Sequence, residues 1–325
     1  MDIRLEEINQ WLQNDLEISN YSIEPASADA SFRRYFRIVA ENKTSIIMDA
    51  PPDKEDCAPF IDITNRLLKT GVSSPEIKAY SAEKGFLLLS DLGNVMYLDK
   101  LVNDNADELY HAAIDSLVTL QTQADTSNLP AYDEKLLEQE MALFRDWLVG
   151  KHLGLSTDLE WLNPTFSFLA QSALGQPQVF VHRDYHSRNL TWQAGQAPGI
   201  LDFQDAVLGP VSYDLVSLLR DCYIQWPHDR VATWVKYYCD NVRRKGLLDD
   251  ATDAEFTRWF DLMGIQRHLK ASGIFARLLH RDGKQGYLKD IPRTLNYITE
   301  VSGGYPELKD LNNFLIQKLL PALKE

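Results

Sequence analysis

The stretch Val181-His182-Arg183-Asp184-Tyr185-His186-Ser187-Arg188-Asn189, followed by Ile200-Leu201-Asp202-Phe203, decides how the chain is read. It sets out an acid, an amide five positions later, and a second acid beyond a short hairpin. The apolar run Gln178 to Val181 leads into the first acid as a strand, and Gly199 to Phe203 carries the second. Phosphoryl transfer requires those parts: a carboxylate to orient and deprotonate an acceptor hydroxyl, and two oxygen ligands for magnesium on nucleotide phosphates. The competing reading is a polar surface loop with capping Asp and Asn. His280-Arg281-Asp282 repeats the tripeptide near the C-terminus, but there Tyr287 stands in the place of the amide and no strand-borne acid follows.

The 325 residues suit one large domain or two lobes, with ample length to bury a core. A net charge of −14 and a pI near 5.0 argue against a nucleic-acid partner held by phosphate contacts. A cationic substrate would be drawn in, whereas an anionic one needs a local basic pocket. Cys57, Cys222 and Cys239 show no CxxC spacing, which fits a reducing compartment without disulfides or zinc. Met1 to Ile8 carries acids where a signal peptide has basic and then apolar residues, and no apolar run reaches the length of a membrane span. The reading is cytoplasmic, with no membrane and no obligatory protein partner.

Periodicity predicts a helix over 3–17, then strands over 22–25, 33–39, 44–48, 76–80 and 85–89, with a helix over 59–69 after the third strand. Beyond Ser90-Asp91-Leu92-Gly93 the chain reads as helical over 106–123, 133–150, 157–173, 212–221, 228–245, 254–280, 292–302 and 306–324. The strand-loop-strand insert at 178–203 interrupts that run. The fold class is α+β: a small antiparallel β-sheet lobe over 1–90 and a larger, mainly helical lobe over 91–325.

The two loops and this order of elements resemble the protein-kinase-like phosphotransferases, in the aminoglycoside phosphotransferase and choline kinase branch, over nearly the whole chain. The resemblance implies ATP and Mg2+, with Asp184 as the base and Asn189 and Asp202 on the metal. Further phrases narrow it: Ala28-Asp29-Ala30-Ser31-Phe32-Arg33-Arg34-Tyr35-Phe36-Arg37, Met48-Asp49-Ala50-Pro51-Pro52, Leu201-Asp202-Phe203-Gln204-Asp205-Ala206 and Gln266-Arg267-His268-Leu269-Lys270. Together they look like the anomeric sugar kinases of bacterial cell-wall recycling, which phosphorylate N-acetylmuramate and N-acetylglucosamine at C1. A small-molecule amino sugar is then the expected substrate. The same chemistry on an aminoglycoside, choline or homoserine, and a nucleotide-binding scaffold without turnover, remain open alternatives.

In such a fold the turn between the first two strands closes over the phosphates. Here it contains Ser27 and Ser31 and no glycine, so small side chains and backbone amides would donate to phosphate oxygens. The third strand, Ser45 to Pro51, lacks the basic residue that usually contacts the α and β phosphates; Arg33, Arg34 and Arg37 are candidates to replace it. Ser90 and Leu92 mark the connection whose backbone would meet adenine. On the acceptor side, no long activation segment follows Asp202, which favours a small molecule over a protein substrate. Asp214, shortly before a helix, reads as a brace for the catalytic loop. Asp205, His186, Arg188, Gln266, Arg267 and His268 are the substrate-binding candidates. A lactyl carboxylate on the acceptor would give a cationic pocket built from Arg267 and His268, or from Arg188, a reason to exist.

Overall fold

The computed structural model describes residues 2–28, 32–248 and 250–323. They form two compact units: Met1–Lys100 with Arg188–Asp205, and Leu101–Ser187 with Ala206–Glu325.

The first unit opens with helix α1 (Ile3–Gln10), N-capped by Asp2, whose side chain accepts from the Leu5 amide. A wider π-type turn continues it over Trp11–Asp15, and Glu17 then turns the chain at a positive φ of 55°. The helix expected over 3–17 is therefore cut short by this turn. Strands β1 (Tyr21–Ala28), β2 (Arg34–Ala40) and β3 (Lys43–Asp49) follow, then helix α2 (Ala58–Thr70) and strands β4 (Ile77–Ser81) and β5 (Phe86–Ser90). The sheet is five-stranded and antiparallel, in the order β1-β2-β3-β5-β4, as the alternation predicts. Ile8, Trp11 and Leu12 lay one helical stripe on Phe36 and Ile38 of β2, Ile47 of β3 and Phe86 and Leu88 of β5, forming one buried cluster. At its edge, buried Asp49 accepts from Nε and Nη2 of Arg4 on Oδ1 and from Nε and Nη2 of Arg34 on Oδ2 (2.5–3.0 Å). Alternation along β2 puts Arg34 on the helix-covered face and Arg37 on the other, where it meets Asp91 at 2.7 Å.

After a short helix α3 (Tyr97–Lys100), the second unit contributes α4 (Ala106–Gln123), α5 (Glu134–Leu143), α6 (Leu162–Leu174) and strand β6 (Gln178–Val181). Two short strands, β7 (Leu190–Thr191) and β8 (Gly199–Ile200), pair with each other within the first unit. The chain then returns to the second unit through β9 (Val207–Pro210), antiparallel to β6, and helices α7 (Tyr213–Leu219), α8 (His228–Arg244) and α9 (Asp253–Asp282). Helices α10 (Ile291–Ser302), α11 (Lys309–Phe314) and α12 (Leu320–Ala322) complete it. The single helix expected over 306–324 is instead a 3-10 turn, α11, a π-type turn over Leu315–Leu319 and α12. Pro321 supplies the reason, because it cannot donate to the carbonyl four residues back. The predicted start at 157 likewise moves to 162.

Helix α9 is the centre of the second unit. A capping box between Thr252 and Glu255 starts it and Gly283, at φ 67°, ends it. From Leu262 to Lys270 every residue is buried, polar ones included. Gly273 permits this crowding: a Cβ there would lie 2.2 Å from the Leu143 carbonyl carbon. The repeated tripeptide His280-Arg281-Asp282 is the end of this helix, where Arg281 pairs with its neighbour Asp282.

Candidate functional site

The loop after β6 is fixed at both ends by carboxylates. The amides of His182 and Arg183 donate to the two oxygens of Asp214 (2.6 and 3.0 Å), which holds Arg183 at a left-handed φ of 77°. Asp214 thus braces the loop from the first turn of α7, as the family resemblance implies. At the other end, the amide and hydroxyl of Ser187 both donate to Asp221 (3.0 and 2.5 Å), whose other oxygen accepts from the Tyr223 amide. Between these anchors the Asp184 amide donates to His182 Nδ1 and the Tyr185 hydroxyl reaches the Ala113 carbonyl at 2.8 Å. These contacts fix the backbone on both sides of Asp184.

Asp184 lines a cavity within the second unit, together with His186, Tyr213, Cys222, Arg267 and Lys270. Tyr223, Ile274 and Phe275 give it an apolar flank, the Tyr223 ring lying edge-on to His186 at 5.4 Å. Burial alone would raise the Asp184 carboxyl. Lys270, His186, Arg267 and His182 together outweigh it, Lys270 most, and the group stays below its ordinary value. Lys270 is itself placed by the Tyr213 hydroxyl (3.1 Å) and by buried Glu140 (2.8 Å). Glu140 also pairs with Arg183 and accepts from the Tyr132 hydroxyl. Burial pushes the Glu140 carboxyl up, but Lys270 and Arg183 prevail and hold it low. Burial, with the nearby Asp184 charge, prevails over the two backbone donors and the Arg267 charge, so the Asp214 carboxyl is raised to about 7.

Of the triplet singled out on α9, Arg267 reaches the cavity and the other two do not line it. Gln266 is fully buried. His268 stacks on Tyr297 (ring centroids 4.8 Å apart) and its Nε2 meets the Arg220 carbonyl at 2.9 Å. Burial and then the adjacent Arg267 charge depress the His268 imidazole to about 3, so it is neutral. The helical period explains the split, since positions 267, 270, 271 and 274 share a face that 266 and 268 leave. Lys270, Tyr213 and Tyr223 were not among the expected site residues; the spacing of Arg267 and Lys270 was the signal available in the sequence.

In the first unit, the Asn189 amide donates to Asp202 Oδ2 at 3.2 Å, and the Leu201 amide donates to the Asn189 carbonyl at 2.9 Å. Asp202 sits at a left-handed φ of 63°. Buried Phe203 beside it packs on Phe60 of α2 at 4.9 Å, and Gln204 Nε2 donates to both Asp202 (2.9 Å) and Asp205 (3.3 Å). Among the described residues no three His, Cys, Asp or Glu are grouped to enclose a metal. One carboxylate and one amide fit magnesium, which binds few protein oxygens and takes phosphate and water for the rest. Arg188 is exposed and belongs to this unit, as does Asp205.

Of the expected nucleotide contacts, Ser31 lies outside the described residues, and Ser27 is described only as a backbone position of β1 paired with Tyr35. Ser90 ends β5, its hydroxyl accepting from the Glu76 amide. Leu92 packs over Gly199 of β8, where a Cβ would lie 3.0 Å from its side chain. Arg33 pairs with Glu55 at 3.2 Å, Arg34 with Asp2 and Asp49, and Arg37 with Asp91. All three arginines proposed in place of the strand lysine thus carry carboxylate partners. Among the described residues no helix is long and apolar enough to cross a membrane.

The chain is 46% identical to an N-acetylmuramate/N-acetylglucosamine kinase of Pseudomonas putida, covering 97% of each protein. It is 44% identical to the kinase of the same name from Pseudomonas aeruginosa, over 97% of this chain and 96% of that one. A third relative of that name, from Neisseria meningitidis serogroup B, is 41% identical over 95% and 94% of the two chains. Among solved structures, the choline kinase LicA from Streptococcus pneumoniae superposes with a TM-score of 0.65 at 13% identity, over 91% of this chain and 99% of that one. ADP-bound aminoglycoside phosphotransferase APH(2'')-Ib gives 0.60 at 15% identity, over 90% and 97%. These likenesses bear out the α+β, protein-kinase-like fold. Residues 22–253 match the model of the phosphotransferase enzyme family, APH, and with the full-length relatives this establishes that the chain belongs to that family.

Proposed function

We propose that the protein is an ATP-dependent kinase that phosphorylates the anomeric hydroxyl of N-acetylmuramate and N-acetylglucosamine, giving sugar 1-phosphates for peptidoglycan recycling in the cytoplasm. The observation that carries this reading is identity of 41–46% over nearly the whole chain to three kinases of that name. The cavity beside Asp184 supports it. A cationic acceptor such as choline or an aminoglycoside calls for acids around the base, whereas Arg267 and Lys270 line this cavity.

In this reading the first unit takes the nucleotide and the second the sugar. Asp184, ionised and held by the anchored loop, orients the anomeric hydroxyl and takes its proton. The sugar oxygen bonds to the γ-phosphorus as the bond from that phosphorus to the β–γ bridging oxygen breaks, and ADP leaves. Asn189 and Asp202 would hold Mg2+, with Asp205 in support; magnesium there neutralises phosphate charge. Gln204 fixes the two carboxylates for that task, and the packing of Phe203 on Phe60 keeps the Asp202 backbone in its left-handed conformation.

The test is ADP release from MgATP with N-acetylmuramate, N-acetylglucosamine, choline and kanamycin as separate acceptors, for the wild type and Asp184→Asn. Turnover with the amino sugars, reduced by about 10² to 10⁴-fold in the variant, is expected. Turnover with choline or kanamycin alone would reject the sugar acceptor. Acceptor-independent behaviour unaffected by the variant would favour a scaffold without turnover.

A further inference from the structure

Two cations face the cavity from α9, and only one of them has a carboxylate partner. Lys270 is matched by Glu140 at 2.8 Å. Arg267, only 5% exposed, has Cys222 Sγ at 3.7 Å as the hydrogen-bond partner of its Nη1. Its Nε has no partner, and among the described residues no carboxylate oxygen comes within ion-pair distance of its guanidinium. Arginine is always charged, and a buried charge without a counter-charge is expensive unless a ligand supplies one. Asp184, in the same cavity, and Asp221 favour its charge through space without coming within ion-pair distance, and the other acids are engaged. Asp214 and Asp221 spend their oxygens on the amides of the catalytic loop and of Tyr223, and Glu140 on Lys270, Arg183 and Tyr132.

A hydrogen-bonded carboxylate partner is therefore left for the acceptor to supply. A planar guanidinium with unused N–H groups matches a carboxylate in two-pronged fashion. The two amino sugars named for the relatives differ here: the lactyl ether of N-acetylmuramate carries a carboxylate, and N-acetylglucosamine has none. With a net charge of −14, the chain repels anions at long range, so an acidic sugar is held only by a local cation. His268 is neutral and outside the cavity and Arg188 belongs to the other unit, which leaves Arg267 of the three cations considered from the sequence.

Resting on the proposed acceptor, we infer that Arg267 is the specificity-determining residue of the cavity. It binds the carboxylate of an acidic amino sugar and sets the preference for N-acetylmuramate over its neutral counterpart, while Asp184 in the same cavity meets the hydroxyl. Buried charge pairs of this kind carry discrimination because the unmatched ligand leaves the cation desolvated and alone.

The experiment compares kcat/KM for N-acetylmuramate, its methyl ester and N-acetylglucosamine in the wild type, Arg267→Met and Arg267→Lys. The wild type should favour the acid over its ester by about 30-fold or more, chiefly through KM, a comparison that needs no variant to fold. Arg267→Met should bring the acid-to-ester ratio within about threefold of unity, and Arg267→Lys should fall between. A wild type that turns over acid and ester equally overturns the inference and leaves the kinase reading intact. So does an Arg267→Met protein that loses all three sugars in equal proportion, which would place the guanidinium on the transferred phosphoryl group. A wild type inert toward every sugar sinks the acceptor reading itself, and the role of Arg267 falls with it.

Discussion

Lys270 of α9 and Glu140 of α5 form a buried ion pair of 2.8 Å, and the same Glu140 holds Arg183, the residue next to Asp184. One carboxylate thus couples the longest helix of the second unit to the loop that carries the candidate base. The pair serves two purposes with one charge balance. Lys270 neutralises Glu140, and across the cavity it supplies the strongest of the charges that keep Asp184 ionised.

Lys270→Met separates these purposes. Burial dominates both groups, so losing the ammonium lets the Asp184 carboxyl rise. A base that must be ionised then becomes active only at higher pH, and the acidic limb of kcat/KM against pH shifts upward. Glu140 keeps Arg183, so the stability loss should be about 1–3 kcal/mol rather than that of a fully orphaned buried acid. Lys270→Arg should restore most of the pH profile. An acidic limb unmoved in Lys270→Met would assign Lys270 to structure alone.

Asp221 offers a second lever on the loop. In Asp221→Ala the Ser187 amide and hydroxyl and the Tyr223 amide lose their acceptor, at about 1–3 kcal/mol for a buried unsatisfied group. The end of the loop leading to Asn189 is then released while Asp214 still holds its start. Steady-state kinetics should show kcat falling by roughly 10-fold to 100-fold with a smaller change in the KM of the sugar. A fall confined to the KM of the sugar would speak against a positioning role.

The stability of the protein should also depend on Asp214. Its folded carboxyl lies at about 7, above the ordinary aspartate value of 3.8, because burial outweighs its two amide donors. A raised acid favours the protonated form, so its contribution to stability is complete below pH 4 and is lost as pH rises through 7. Urea midpoints should decline between about pH 4 and 7.5 and level off above, and Asp214→Asn should flatten that slope while lowering the midpoint at pH 5 through loss of one amide acceptor. Equal slopes in the two proteins would place the titration elsewhere.

The sheet of the first unit was legible because it alternates: Phe36 and Ile38 against Arg37, and an N-terminal helical stripe to cover one face. The loop was legible because its acid, amide and second acid are close in sequence. The walls of the cavity were harder to read. Tyr213, Cys222, Tyr223 and Lys270 reach Asp184 from α7, the segment after it and α9, and only tertiary packing brings them together. Adjacency also misled the reading of Gln266, Arg267 and His268. A helix spreads three consecutive residues over an arc of about 200°, so the cavity face is Arg267 with Lys270, and His268 packs on Tyr297. Pro321, Pro306 and the π-type turns likewise broke a periodic pattern that looked continuous.

Gly273 within α9 and Gly283 at its C-cap separate packing from conformation. At Gly273 an added Cβ would sit 2.2 Å from the Leu143 carbonyl carbon and 2.4 Å from the Phe144 nitrogen, both backbone atoms that cannot swing aside. At Gly283 nothing lies within 4 Å, and the only obstacle is a φ of 67°. Gly283→Ala should therefore cost about 1 kcal/mol, the strain of a left-handed alanine. Gly273→Ala should cost about 3 kcal/mol or more, because the helix must move away from its neighbour as a body. That movement carries Arg267 and Lys270, less than two turns back along α9, away from Asp184. Denaturant midpoints measure the first difference and sugar-dependent ADP release the second, with activity in Gly273→Ala falling further than its residual folded fraction explains. If both variants lost stability equally, the close approach at Gly273 would not be what seats α9 against the loop.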